Sequence, residues 1–286
     1  MDNTNYLLKA VSFSNQILKI LNENILKEGE PIIILEGYDW LREVFSLLAK
    51  QSNLFESCTL LLENNMEKEA YILARSQFNN MLWISYICND NTRAKKYFHE
   101  ALITHLQQLK KIKDYLRHLP LDTPHLNKFP KMNSKTINSE IKKINNELKK
   151  AGYETNNPQK PLKNISVFQL TERDPSLFGL YVSFYHEASR LEHSDILTMA
   201  EYRKPVVDDI SKNIAFTFDL SESNIDLWKT VYKNSLLVLF KSIERIHDRI
   251  KETDSHLFEQ KVFNEEDFCS IIIIIKAAYD FIDSIE

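Results

Sequence analysis

Apolar residues recur every three or four positions along most of this chain, the period of an α-helix that buries one face. Leu7, Leu8, Val11, Ile17, Leu18, Leu21, Ile25 and Leu26 form the first such stripe, and Gly29-Glu30-Pro31 stops it. The spacing predicts a second helix over 38–64 and a third over 66–88, whose early Glu67 and Glu69 suit the positive end of the helix dipole. Asn89-Asp90-Asn91 breaks the pattern before a fourth helix over 92–119. After a loop with prolines at 120, 124 and 130, a lysine-rich helix is expected over 134–150, closed by Gly152, and then a surface excursion over 153–175. A sixth helix starts at Asp174-Pro175, where proline suits the first turn, and carries Leu177, Leu180, Tyr181, Phe184, Tyr185, Ala188 and Leu191 on one face. The seventh opens at Ser221 and ends about Thr253; the last covers 264–285, and its all-round apolar run Ile271–Ile275 suggests a central, covered position. Residues 213–218 alternate like a strand, but with no visible partner they are expected as extended coil.

The expected fold is therefore all-α: a bundle of about seven to eight long amphipathic helices with a lysine-rich helical insertion. One helical domain over 1–286 is expected, with 120–175 as an insertion or lid. Composition sharpens this. Only four glycines occur in 286 residues, far below the roughly 7% of ordinary usage that sheet-rich and phosphate-cradling folds exceed. The net charge of −4 gives no whole-molecule pull toward nucleic acid or an anionic membrane. Cys58, Cys88 and Cys269 lack metal or redox spacing and sit among apolar neighbours, which points to reduced, buried thiols in a cytoplasmic protein. The first residues have no secretory n-region, and no apolar run approaches the roughly 18 residues of a membrane span, so no membrane association is expected.

Two places break the local rules. In the third helix Arg75, Gln77, Asn79 and Asn80 interrupt an otherwise apolar run, with Arg75 and Asn79 one turn apart on one face. A guanidinium there needs an acceptor, because an unpaired buried charge is costly; it belongs either to a structural hydrogen-bond network or to a ligand or phosphate clamp. In the sixth helix His186, Arg190 and His193 share a face beside Ser189. Imidazole can move a proton near neutral pH and a neighbouring arginine can hold an anion, a pairing suited to phosphodiester chemistry; an ordinary solvated polar face is the alternative.

The phrase Ala74-Arg75-Ser76-Gln77-Phe78-Asn79, followed by Arg93-Ala94-Lys95-Lys96-Tyr97, resembles the first signature of a bacterial family of helical proteins described as a domain of unknown function. Tyr185, Ser189 and His193-Ser194, at intervals of four, are similar to its second signature. The resemblance implies an all-helical fold and joins the Arg75 stretch to the Ser189–His193 stretch. Asn79 departs from the pattern, which places an acidic residue after the arginine, so a charge relay through that position is not implied.

A weaker resemblance is to the HEPN helical ribonucleases of toxin and phage-defence systems, whose signature is an arginine, four to six residues and a histidine. Arg93…His99 and Arg249…His256 fit that spacing. It would imply metal-free cleavage of RNA, with histidine taking the 2′-hydroxyl proton and arginine holding the phosphate. Glu244-x-x-His247 has the spacing of a bundle di-iron ligand pair, but the one further acid-x-x-histidine, Asp122 to His125, sits in the proline-rich loop, so no metal site is expected. No phosphate-binding or nucleophile-elbow glycine motif occurs, and no cofactor is expected. The lysines at 128, 131, 135, 142, 143, 149, 150, 160 and 163 could follow a phosphate backbone, yet with Phe129 and Tyr153 the sole interleaved aromatics they read as a solvated lid or linker.

Two functions stay open: an interaction or ligand-binding module, favoured, and an RNA-cleaving defence or stress effector. The candidate site residues are Arg75, Arg93, His99, Ser189, Arg190 and His193. RNA or a protein is the expected partner, and oligomeric state is left open.

Overall fold

A computed structural model describes residues 3–30, 37–90, 92–118, 134–155, 162–193, 202–207, 214–218 and 224–285. It is all-α apart from one two-stranded ribbon. The helices are α1 (Asn3–Lys19, continued by a π turn, Ile20–Ile25), α2 (Asp39–Glu63), α3 (Glu67–Cys88), α4 (Arg93–His118), α5 (Ser134–Lys150) and α6 (Val167–Glu172). A short 3-10 turn, Pro175–Leu177, leads into α7 (Phe178–Leu180), a π turn (Tyr181–Tyr185) and α8 (His186–Glu192). After strands β1 (Arg203–Val207) and β2 (Ile214–Phe218) come α9 (Ile225–Thr253), α10 (His256–Glu259) and α11 (Glu265–Asp283). The chain forms two compact units, 1–91 with 167–286, and 92–166 between them in sequence. Among the described residues no helix is long and apolar enough to cross a membrane.

In the larger unit α3 is central: α2 and α9 pack along it, with α6 and α8 as further neighbours. Ala70 and Ala74 let the neighbouring backbones come close, and Phe78, Met81 and Ile84 fill the space that remains. Buried amides fix how these helices sit against one another. The Gln77 amide and the Ser235 hydroxyl of α9 hydrogen-bond each other at 2.8 and 2.9 Å, and Asn80 donates to the Gln51 side chain of α2 at 3.0 Å. Two of the polar residues that interrupt the α3 stripe thus belong to a structural network, where the low dielectric strengthens each bond and makes its loss expensive. Asn224 and Asn264 cap α9 and α11 by accepting backbone N–H groups.

Four expectations need correction. Residues 214–218 are not coil: β2 pairs antiparallel with β1, Arg203 opposite Phe218. The partner was hidden because Arg-Lys-Pro-Val-Val does not alternate; Pro205 is tolerated because both strands of a two-stranded ribbon are edges. The run Ile271–Ile275 is not central. Ile271 and Ile275 are buried against α9 and α1, but Ile273 is 66% exposed. The 153–175 excursion contains α6, whose Leu170 and Thr171 are buried. The nominal sixth helix is likewise interrupted by the π turn, while residues 120–133 and Ser194 lie outside the described residues.

In the smaller unit α4 and α5 face each other through Ile103, Leu106 and Leu109 on one side and Ile137, Ile144 and Leu148 on the other. Gly152, at φ +87°, ends α5 with the N–H of Tyr153 returning to the Leu148 carbonyl at 2.9 Å and its own N–H to Lys149 at 3.0 Å, a Schellman closure that glycine permits. The buried Glu100 carboxylate holds the returning chain by accepting from Ile165 N–H at 2.8 Å and the Asn164 amide at 3.1 Å.

Candidate functional site

Arg75 leaves α3 one turn before Asn79 and points at the segment running from the second π turn into α8. Its guanidinium lies 4.7 Å over the Tyr185 ring, donates to the Tyr185 hydroxyl at 3.0 Å, and forms an ion pair with Glu192. The arginine side chain is 11% exposed. The widened π turn sets Tyr185 for this contact and stacks it on Tyr181, with centroids 5.4 Å apart and planes 18° apart. Phe78 backs Tyr185 from α3 at 5.6 Å. Glu192 also lies 3.8 Å from the imidazole of His193, which is 71% exposed.

A model of the family of unknown function DUF5677 matches residues 43–210. The chain belongs to that family. No curated protein and no solved structure matches it. The DUF5677 match takes in the whole α4–α5 unit and both stretches that meet at Glu192, while α9 and α11 lie beyond it.

Within this DUF5677 protein the six sequence candidates fall into three groups. Arg75 and His193 converge on one carboxylate, Glu192. Arg190 turns along its own helix to Glu187 at 3.4 Å, and Ser189 offers its carbonyl to the His193 N–H at 3.0 Å in the last turn of α8. Arg93 and His99 belong to the α4–α5 unit, where His99 rests edge-on against Tyr153 at 5.2 Å. Six residues of continuous helix separate that pair by roughly 9 Å of rise and about 120° of rotation, so the two side chains leave the helix on different faces. The other arginine–histidine spacing behaves differently. Arg249 lies 5.3 Å over Trp40, and His256 hydrogen-bonds the Tyr38 hydroxyl at 2.8 Å, so both are held at the first turn of α2.

Glu192 is the residue that sequence reasoning passed over. It stands beside His193 on what reads as a solvated face, and its partner lies 117 positions away. On α3 the Nε of Arg75 and, one turn on, the Oδ1 of Asn79 are buried without hydrogen-bond partners. Tyr71, on the same side of α3, is pushed up to about 12 by burial and by the nearby Glu187, and so stays a neutral phenol.

Two other features of the larger unit lay outside the sequence reading. A groove of about 440 Å³ between the first π turn and α2 is lined by Asn22, Leu26, Arg42, Phe45, Ser46 and Asn53 among others. The Asp174 carboxylate accepts from Arg245 at 2.6 Å, Ser85 at 3.3 Å and Ser176, tying α3 to α9. Burial alone would raise its pKa, but Ser176 and Arg245 outweigh it and hold the carboxyl below the ordinary value. Cys58 and Cys88 are buried and pushed up to about 12 by desolvation, whereas Cys269 is exposed, against the expectation that all three are covered. Among the described residues no group of three histidines, cysteines or acids stands close enough to hold a metal ion.

Proposed function

We propose that this DUF5677 protein is a non-catalytic, cytoplasmic interaction module in which Arg75 is a structural tie between α3 and α8. The observation that carries the reading is the enclosure of its guanidinium: a carboxylate meets one terminal nitrogen, a phenol meets the other, an aromatic face lies beneath, and the Nε is buried. A phosphate clamp needs free N–H donors turned to solvent, and the unpartnered Nε of Arg75 is buried. His193 is 71% exposed, and the carboxylate beside it is already paired with Arg75. Residues 92–166, set between α3 and α6 in the chain, then form the inserted unit available to a partner.

The test pairs stability with activity. Arg75→Ala is expected to lower Tm, and Arg75→Lys to restore only part of it, since an ammonium cannot bridge Glu192 and Tyr185 in the guanidinium's planar fashion. Overexpression of the wild type should leave cellular RNA intact. RNA cleavage that disappears in His193→Ala or His99→Ala at unchanged Tm would replace this reading with an enzymatic one.

One observation favours a second reading, a metal-independent ribonuclease acting in defence or stress. Arg249 and His256, at HEPN-like spacing, are anchored to the same turn of α2 through Trp40 and Tyr38. That reading predicts RNA loss on expression that His256→Ala abolishes and His193→Ala does not.

A further inference from the structure

The modest net charge conceals a segregation. Residues 92–166 hold sixteen of the 36 lysines and arginines but six of the 40 aspartates and glutamates, a net of +10; the rest of the chain carries −14. Five of these cations line one side of α5. In α5 the apolar positions Ile137, Ile144 and Leu148 are buried against α4. Lys135, Lys142, Lys143, Lys149 and Lys150 are exposed on the opposite side, in a stripe repeating every seven residues, about 10 Å of helix.

Two further features decide what such a stripe fits. The unit also exposes aromatics: on α4, Phe98 is 54% and Tyr115 is 65% exposed. Each stands among cations, Phe98 beside Lys95 and Tyr115 one turn from Lys111, all of them exposed. Aromatic rings set among lysines stack unpaired bases while the ammonium groups meet phosphates. The apolar sides of α4 and α5, by contrast, are used against each other, so among the described residues neither helix keeps an apolar face to enter a bilayer.

We infer that the α4–α5 unit is a binding surface for single-stranded nucleic acid, with the α5 lysines on the phosphate backbone and Phe98 and Tyr115 stacking on bases. The inference rests on the interaction-module reading and supplies its partner. The charge distribution agrees with this: the acidic remainder repels a polyanion, and the basic unit attracts it.

The experiment is fluorescence anisotropy of the full chain with a labelled 20-nucleotide RNA, the same RNA as a duplex, and vesicles containing anionic lipid, with a denaturing gel of the RNA after each titration. The single strand should bind, and bind more tightly than the duplex. Affinity should fall about a hundredfold between roughly 50 and 200 mM salt if about five phosphates are neutralised. Replacing Lys142, Lys143, Lys149 and Lys150 together by glutamine should weaken binding at least tenfold and flatten the salt dependence, with Tm unchanged. Phe98→Ala and Tyr115→Ala should each cost about tenfold without altering the salt slope. Wild type that fails to bind at low salt, a glutamine variant that binds as well as wild type, or binding to vesicles in place of RNA each overturns the inference. Equal affinity for duplex with no effect of the aromatic substitutions overturns its single-strand part. A cut strand in the gel removes the non-catalytic reading while leaving the binding surface; an intact strand with no binding does the reverse.

Discussion

Arg75 on α3 is 11% exposed and held by a carboxylate, a phenol and an aromatic face, whereas Lys142, Lys143, Lys149 and Lys150 on α5 stand in solvent. Both sets are cations on amphipathic helices, and both interrupt or oppose an apolar stripe. What separates them is the opposite wall. α3 is surrounded, so a charge on it must find a fixed acceptor or forgo hydration; among the described residues the α5 lysines are exposed on the side away from α4, so they keep their water. A cation's role in this fold follows from the number of helices around it.

That contrast can be broken experimentally. The largest effect is expected at the tie itself: Arg75→Ala should destabilise the protein by about 3 kcal/mol in urea unfolding, since it removes a nearly buried side chain packed on Tyr185 and takes the donor from the Tyr185 hydroxyl. A loss under about 0.5 kcal/mol, the range of ordinary surface changes, would remove Arg75 from the structural class. Gln77→Ala should cost about 2 kcal/mol by leaving the Ser235 hydroxyl without its buried partner, and the double variant with Ser235→Ala should cost less than the sum.

Asp174 gives a pH-dependent version of the comparison. Its carboxyl is held below the ordinary value, so its contribution is fully present above the unfolded pKa of about 3.9 and is lost as pH falls through the lower folded value. Tm of the wild type should therefore drop more steeply below about pH 4 than Tm of Asp174→Asn, and parallel profiles would contradict the assignment. Smallest of all, single lysine-to-alanine changes on α5 should stay within about 0.5 kcal/mol of wild type in the same unfolding assay. Thiol labelling offers an independent check on burial: Cys269 should react quickly in the native protein, and Cys58 and Cys88 only after unfolding.

Much of the fold was legible because helix formation here is a local matter. The boundaries of α2, α3, α4 and α5 follow from apolar spacing, an Asn-Asp-Asn break and a single closing glycine. The elements that escaped were those whose reason lies elsewhere in the chain. β2 needed β1, whose sequence does not alternate; α6 needed the α3 wall that covers Leu170; the π turn that orients Tyr185 adds no break to the apolar stripe. Of the site, Arg75 and His193 could be chosen as chemically interesting, but not the Glu192 that both approach.

The sequence by itself determined that this chain is helical, that α3 carries polar residues where an apolar stripe should continue, and that its basic residues gather between 92 and 166. These are properties of spacing and composition, read within a few turns. Only the tertiary structure decided that Gln77 and Arg75 are consumed in internal bonds, that Ile273 faces outward, and that Phe98 and Tyr115 stand open among lysines. The physical reason is that periodicity says which residues share a face, while burial and pairing depend on what another, distant helix brings to meet it.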